Sequence, residues 1–279
     1  MKFGVYLGLW ESKILEETKS EHIFKMVSDI GYDDIELPLN EPENINIQLV
    51  KKLSKKFNID VTTSVALPIN ANFMSVNEEE REYARSFMKN CIQKASLMGS
   101  SVLGGVIYAP WGKTDISKTP TSFDFLIDGL RDVDKYAKNL NVKLCVEPVN
   151  RFESNVINTA SEGLSLIEKI GSDNIFLLLD TFHMNIEEKN IISTIKQVNK
   201  KVGHFHTCEN DRGIPGTGHV PWEKVVNALK DINYEGYLVF EAFKASETLK
   251  SASIWRADEL TPDAFNSAKE SLSFLKSLI

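Results

Sequence analysis

Met1-Lys2-Phe3-Gly4-Val5-Tyr6-Leu7-Gly8-Leu9-Trp10-Glu11-Ser12 opens the chain, and its second half decides between two folds. The apolar run over residues 2–9 reads as a β-strand. An open, doubly wound dinucleotide-binding sheet usually carries a glycine-rich phosphate turn after that strand. Here the place holds Leu9-Trp10-Glu11-Ser12, which is no such turn. Glu11 also ends the run far short of a membrane span, and no small-residue cleavage site follows. The segment is therefore expected to be a structural strand and not a leader.

Downstream, short β-branched runs alternate with longer amphipathic stretches. Strands are expected at 2–9, 34–37, 59–65, 102–108, 142–147, 175–180, 202–207 and 237–241. Helices are expected at 21–30, 47–57, 78–98, 122–139, 160–170, 191–200, 222–232 and 262–278. Gly31, Asn58, Gly99, Asn141 and Gly171 follow the first five helices, where left-handed caps are wanted. Such an alternation implies parallel strands joined by helical crossovers. A closed barrel of this kind typically takes about 250 residues. The 279 residues contain no Pro/Gly/Ser-rich linker, so residues 1–279 are expected to form one (β/α)8 TIM barrel domain.

Composition narrows the function. The chain is 42% hydrophobic and 25% charged, values of a globular protein, and its net charge of −7 disfavours a polyanionic partner. Neither nucleic-acid nor membrane binding is expected. Cys91, Cys145 and Cys208 form no CxxC pair, so neither a disulfide framework nor a cysteine zinc site is indicated, and a cytoplasmic location is expected.

In (β/α)8 barrels the active site lies at the C-terminal ends of the strands. Four successive expected strands carry a potential metal ligand at or one residue before their end: Glu147, Asp180, His206 and Glu241. A carboxylate that closes an apolar run is costly to desolvate unless it is paired or coordinated. One such residue would be unremarkable on a surface, but four from adjacent strands of a closed barrel converge at its mouth. Three carboxylates and one imidazole suit a hard divalent ion, Mn2+ or Mg2+, with Co2+ as a further candidate. The following loops supply Arg151, Phe152, Glu153, His183 and Arg212, the last in a glycine- and proline-rich loop. Tyr6, Trp10, Tyr108 and Trp111 lie near strand ends, where aromatics either pack or wall a sugar. His204 and Cys145 are read as packed barrel residues one layer below the site.

Asn150-Arg151-Phe152-Glu153, the run 179–188 (Leu-Asp-Thr-Phe-His-Met-Asn-Ile-Glu-Glu), Gly203-His204-Phe205-His206 and Gly216-Thr217-Gly218-His219-Val220-Pro221-Trp222 form specific motifs. Gly104-Gly105, with Tyr108 and Trp111, and the late Trp255-Arg256 join them. The resemblance they carry is to the D-tagatose 3-epimerase and D-allulose (psicose) 3-epimerase family. It covers nearly the whole chain. It implies a xylose-isomerase-like barrel, one divalent metal (Mn2+ first, Co2+ or Mg2+ otherwise), a free ketose as substrate, and a homodimer or homotetramer. Residue by residue it implies metal binding at Glu147, Asp180, His206 and Glu241, and substrate contacts at Glu153, His183 and Arg212. The chain departs from the pattern at Ile14, Pro110 and Ala242 and lacks a glycine pair after Lys244, differences in the walls around the sugar.

The expected chemistry is proton transfer next to a ketone through an enediolate, with Glu147 and Glu241 on opposite faces of C3 and Tyr6 and Trp111 among the walls. Aldose–ketose isomerisation by the same site is the alternative. A barrel nuclease would call for more histidines than the five present and a basic face, and a plain sugar-binding module leaves four convergent ligands without a purpose.

Overall fold

The computed structural model describes residues 1–11, 16–112, 118–244 and 262–279. Ile14, the 245–253 part of the loop after Lys244, and the Trp255-Arg256 pair lie outside the described residues. Eight strands form the sheet: β1 (Lys2–Tyr6), β2 (Asp34–Pro38), β3 (Asp60–Leu67), β4 (Val102–Pro110), β5 (Lys143–Val146), β6 (Ile175–Asp180), β7 (Val202–Thr207) and β8 (Tyr237–Phe240). Each lies parallel to the next, and β8 returns to β1 with Lys2 opposite Tyr237 and Val5 opposite Phe240. The ring is closed, as the missing phosphate turn predicts.

Around it run α1 (Glu17–Ile30), α2 (Ile47–Phe57), α3 (Glu78–Met98), α4 (Pro120–Asn139), α5 (Ala160–Ile170), α6 (Thr181–Glu187), α7 (Ile191–Val198), α8 (Trp222–Asp231) and α9 (Ala264–Ser277). Gly31 and Asn58 adopt the left-handed conformation after α1 and α2, with φ of 97° and 53°. The core lies mainly between strands and helices, while Val102, Cys145 and Leu178, with Phe176 against them, form a separate apolar cluster.

Where expectation and structure differ, local chemistry gives the reason. The first strand stops at Tyr6 because Leu7–Leu9 coil into a 3-10 turn, closed by the Trp10 N–H donating to the Leu7 carbonyl at 2.9 Å. The fourth long helix begins two residues early, at Pro120. Proline has no N–H to lose at a first helical position, and Thr119 caps the helix end by accepting from Ser122 N. The short helix α6 was absent from the expected pattern. Asp180 creates it by accepting from the Phe182 N–H at 2.8 Å, turning the chain from strand to helix without a loop.

One glycine is obligatory for the site. Gly105 has φ of 107°, and a Cβ there would lie 2.3 Å from the Val65 carbonyl oxygen. Its own carbonyl accepts the Glu147 N–H at 3.0 Å, so this glycine backbone sets where Glu147 leaves the sheet.

Candidate active site

Glu147, Asp180, His206 and Glu241 meet at the C-terminal mouth of the barrel. One ligand atom from each lies within 4.8 Å of those of the others, and all four residues are buried. They occupy four consecutive strand ends, so they form an arc with a glutamate at each extremity. His206 Nδ1 points into the arc, 3.3 Å from Glu241 Oε2 and 3.9 Å from Glu147 Oε1, and makes no hydrogen bond. A buried nitrogen without a partner, facing three clustered carboxylates, fits a hard divalent cation.

The field inside the arc separates its acids. Burial raises the Glu147 carboxyl well above the carboxylate range, and its acidic neighbours Glu241 and Asp180 add to the rise. Burial likewise lifts Asp180 to about 7, against the pull of Arg212. Burial also opposes charge on Glu241, but Arg212 and His206 outweigh it and hold this carboxyl below its ordinary range. His206 is desolvated too, yet Glu36 and Glu241 favour its protonated form and carry its pKa upward.

Arg212 binds the arc together. Its Nη1 donates to Asp180 Oδ2 at 2.8 Å and to Glu241 Oε2. The guanidinium is held between two aromatic faces, 4.3 Å from the Phe182 ring centre and 5.2 Å from that of Phe243. Its Nη2 lies 3.0 Å from His183 Nε2. His183 Nδ1 already accepts the Asn150 N–H at 3.1 Å, and burial and Arg212 keep the ring neutral. A neutral ring that accepts at Nδ1 carries its proton on Nε2. Two donors therefore face each other, and an anionic or carbonyl oxygen placed between them would satisfy both.

The remaining expected residues fall around this centre. Glu153 accepts from Asn150 Nδ2 at 2.9 Å and from Trp111 Nε1 at 3.1 Å, which joins the acid to the aromatic wall. Tyr6 packs edge-on to Phe243, with ring centres 5.3 Å apart. A cavity of about 330 Å³ is lined by Tyr6, Trp111, Glu147, Glu153, His183, His206, Arg212 and Glu241, and also by Asn40, Ser64, Ala66, Ile69 and Phe243. That volume is at the lower end for small-molecule sites. Asp180 does not line it, so the arc presents its two glutamates to the cavity and keeps its aspartate behind them.

Other residues singled out in the sequence lie elsewhere. Tyr108 is buried and donates its hydroxyl to the Ile157 carbonyl. Arg151 pairs with Glu187, and Phe152 is exposed. His204 is packed below the site as expected, but it also pairs with Glu36, a residue the strand-end rule missed. Glu36 interrupts the apolar run Ile35-Glu36-Leu37, and that signal would have found it. Glu209 was missed as well. It is fully buried and accepts from the backbone N–H groups of Asn210, Gly216 and Val220 and from Trp222 Nε1.

Residues 24–278 match the family described as Xylose isomerase-like TIM barrel, and the chain belongs to it. Its relatives carry a narrower description. The D-psicose 3-epimerase of Agrobacterium fabrum is 31% identical over 263 residues, covering 92% of this chain and 90% of that enzyme. The L-ribulose 3-epimerase of Mesorhizobium japonicum is 31% identical, over 98% of this chain and 93% of its own. The D-allulose 3-epimerase from Methylomonas sp., solved with D-allulose, superimposes with a TM-score of 0.94 at 27% identity, covering 100% of this chain and 97% of that one. These relatives are ketose 3-epimerases, the group the sequence resembles.

Proposed function

We propose that this protein is a metal-dependent ketose 3-epimerase that inverts C3 of a free ketose. The observation that carries the reading is the arc itself, with Glu147 and Glu241 at its two ends, both facing one sugar-sized cavity. Inversion needs a proton taken from one face of a carbon and returned to the other, and a glutamate on each side provides that. Without an ion, burial and acidic neighbours push the Glu147 carboxyl up, while Arg212 and His206 hold that of Glu241 down.

Glu147, Asp180, His206 and Glu241 would hold the ion, for which Mn2+ is proposed, with Co2+ and Mg2+ as alternatives. When bound, it supplies Lewis-acid stabilisation of charge on the substrate's oxygens. The protein's own groups do the rest. One glutamate removes the C3 proton, and electron density moves toward O2. Arg212 and His183, two donors lacking a shared acceptor, receive that oxygen as it becomes anionic. Glu153 fixes the end of the sugar next to the reacting carbons, and Tyr6, Trp111 and Phe243 cover its apolar faces and exclude water. The second glutamate then delivers a proton from the opposite side.

Incubation with fructose or tagatose and Mn2+ in D2O tests the reading. The expected product is the C3 epimer carrying deuterium at C3, with C1 unlabelled. Aldose as the main product, or label confined to C1, would replace it with aldose–ketose isomerisation. The reading also takes all 279 residues as one domain of a cytoplasmic homodimer or homotetramer, which light scattering can measure. Among the described residues no helix is long and apolar enough to cross a membrane.

A further inference from the structure

Beneath the arc lies a second buried group. Glu36 is fully buried on β2, and its carboxylate reaches two histidines of β7. Strands β2 and β7 are not neighbours in the ring, so these contacts cross the barrel interior. His206 Nε2 lies 3.1 Å from Glu36 Oε1 and 3.3 Å from Oε2, and His204 Nε2 lies 2.6 Å from Oε2. A carboxylate only accepts, so each imidazole donates its Nε2–H. In a neutral His206 that leaves Nδ1 as a lone pair, and Nδ1 is the atom that faces Glu147 and Glu241.

We propose that Glu36 is a positioning residue for the ion: by holding the Nε2–H of His206 it fixes the ring's tautomer and tilt, so that the Nδ1 lone pair is presented to the carboxylates of the arc. The inference rests on the metal-site reading above. The surroundings are built for this task. His204 restrains the carboxylate, while Thr62 gives its one hydroxyl proton to Asp34 at 2.7 Å and lies 3.5 Å from Glu36 Oε2. His204 Nδ1 has no hydrogen-bond partner, so the one hydrogen bond its ring makes is the bond that steadies Glu36. Carboxylate partners behind ligating histidines orient the ring and raise its basicity, and losing one typically lowers metal affinity about 10- to 100-fold.

Glu36→Gln is the discriminating substitution. A glutamine keeps the shape but offers one acceptor and one NH2 donor in place of two acceptors. Its NH2 can face an imidazole only if that ring accepts at Nε2. Placed at Oε2, the NH2 breaks the His204 bond that steadies the side chain; placed at Oε1, it faces His206, which can accept it only with its proton moved to Nδ1, where an ion must displace it.

The experiment is calorimetric titration of Mn2+ and Co2+ into chelator-stripped wild-type and Glu36→Gln proteins, with the visible spectrum of the Co2+ forms and the melting temperatures of the stripped proteins. One ion per wild-type chain, an affinity about 10- to 100-fold weaker in Glu36→Gln and an altered Co2+ spectrum are expected. A variant that melts earlier but binds as tightly as wild type, with an unchanged spectrum, would reduce Glu36 to packing. Two ions per chain would make Glu36 a ligand and overturn the inference. A wild-type protein that binds neither ion would overturn the metal-site reading as well. Histidine 15N NMR of the Mg2+-loaded wild type needs no variant. The Nε2–H tautomer is expected for His206, and the Nδ1–H tautomer overturns the proposal even if Glu36→Gln fails to fold.

Discussion

Arg212 adopts φ of 70°, a left-handed conformation that non-glycine residues rarely hold and that costs on the order of 1 kcal/mol or more. The surrounding contacts keep it there: two aromatic faces, two carboxylates and the edge of His183. If the guanidinium supports charge that grows during the reaction, Arg212→Ala will lower kcat by about 100-fold or more and raise KM as well, in steady-state assays on the best ketose. Arg212→Lys will recover little, because an ammonium cannot stack flat and donate in two directions. Unchanged kinetics would place this loop outside the chemistry. A pH effect belongs to the same residues. Asp180 and Glu147 both have raised pKa values, Asp180 near 7, so below neutrality they hold protons that an ion must expel. Affinity for Mn2+ should therefore fall as pH drops from 8 to 6, read by titration at each pH. The four arc residues were legible in the sequence because a charge that ends an apolar run is conspicuous. Glu36 obeys the same physics in mid-strand, but its partners His204 and His206 are about 170 positions away, and only the closed ring brings them together.

At the scale of elements, Glu209 organises the stretch from β7 to α8. Its two oxygens receive four N–H groups from residues 210–222, and this network carries Arg212. Glu209→Ala would leave those donors buried and unpaired, at about 1–3 kcal/mol for each one that finds no water. The expected result is a lower melting temperature together with a loss of kcat resembling that of Arg212→Ala. A variant with normal kcat would separate the network from the site. Gly105→Ala tests the facing side. The added methyl would strike the Val65 carbonyl, so β4 must shift and take the Glu147 backbone with it, and activity should fall more than solubility does. The long helices and the strand order could be read in advance because periodicity and caps are local. Helix α6 could not, since it depends on Asp180 serving as both strand end and helix cap. The walls from β3, Ser64 and Ala66, carry no chemical signal in sequence and acquire a role only through closure.

Across the whole molecule, an ion held at the ends of β5, β6, β7 and β8 would bind the folded state and not the unfolded chain. At an ion concentration 100-fold above Kd it should add about 2.7 kcal/mol of stability. For a chain of this size that is roughly 5–10 °C in Tm, measurable by calorimetry with and without chelator. No shift would mean that the arc holds no ion in the folded protein. The closing pair also orders events in time. Glu241 follows β8, the strand that must pair with β1 before the ring is complete. A nascent chain from which β8 has not yet emerged therefore offers three of the four donors, and a fragment truncated before β8 never presents the fourth. Four-donor binding of an ion would in this way be reserved for closed barrels.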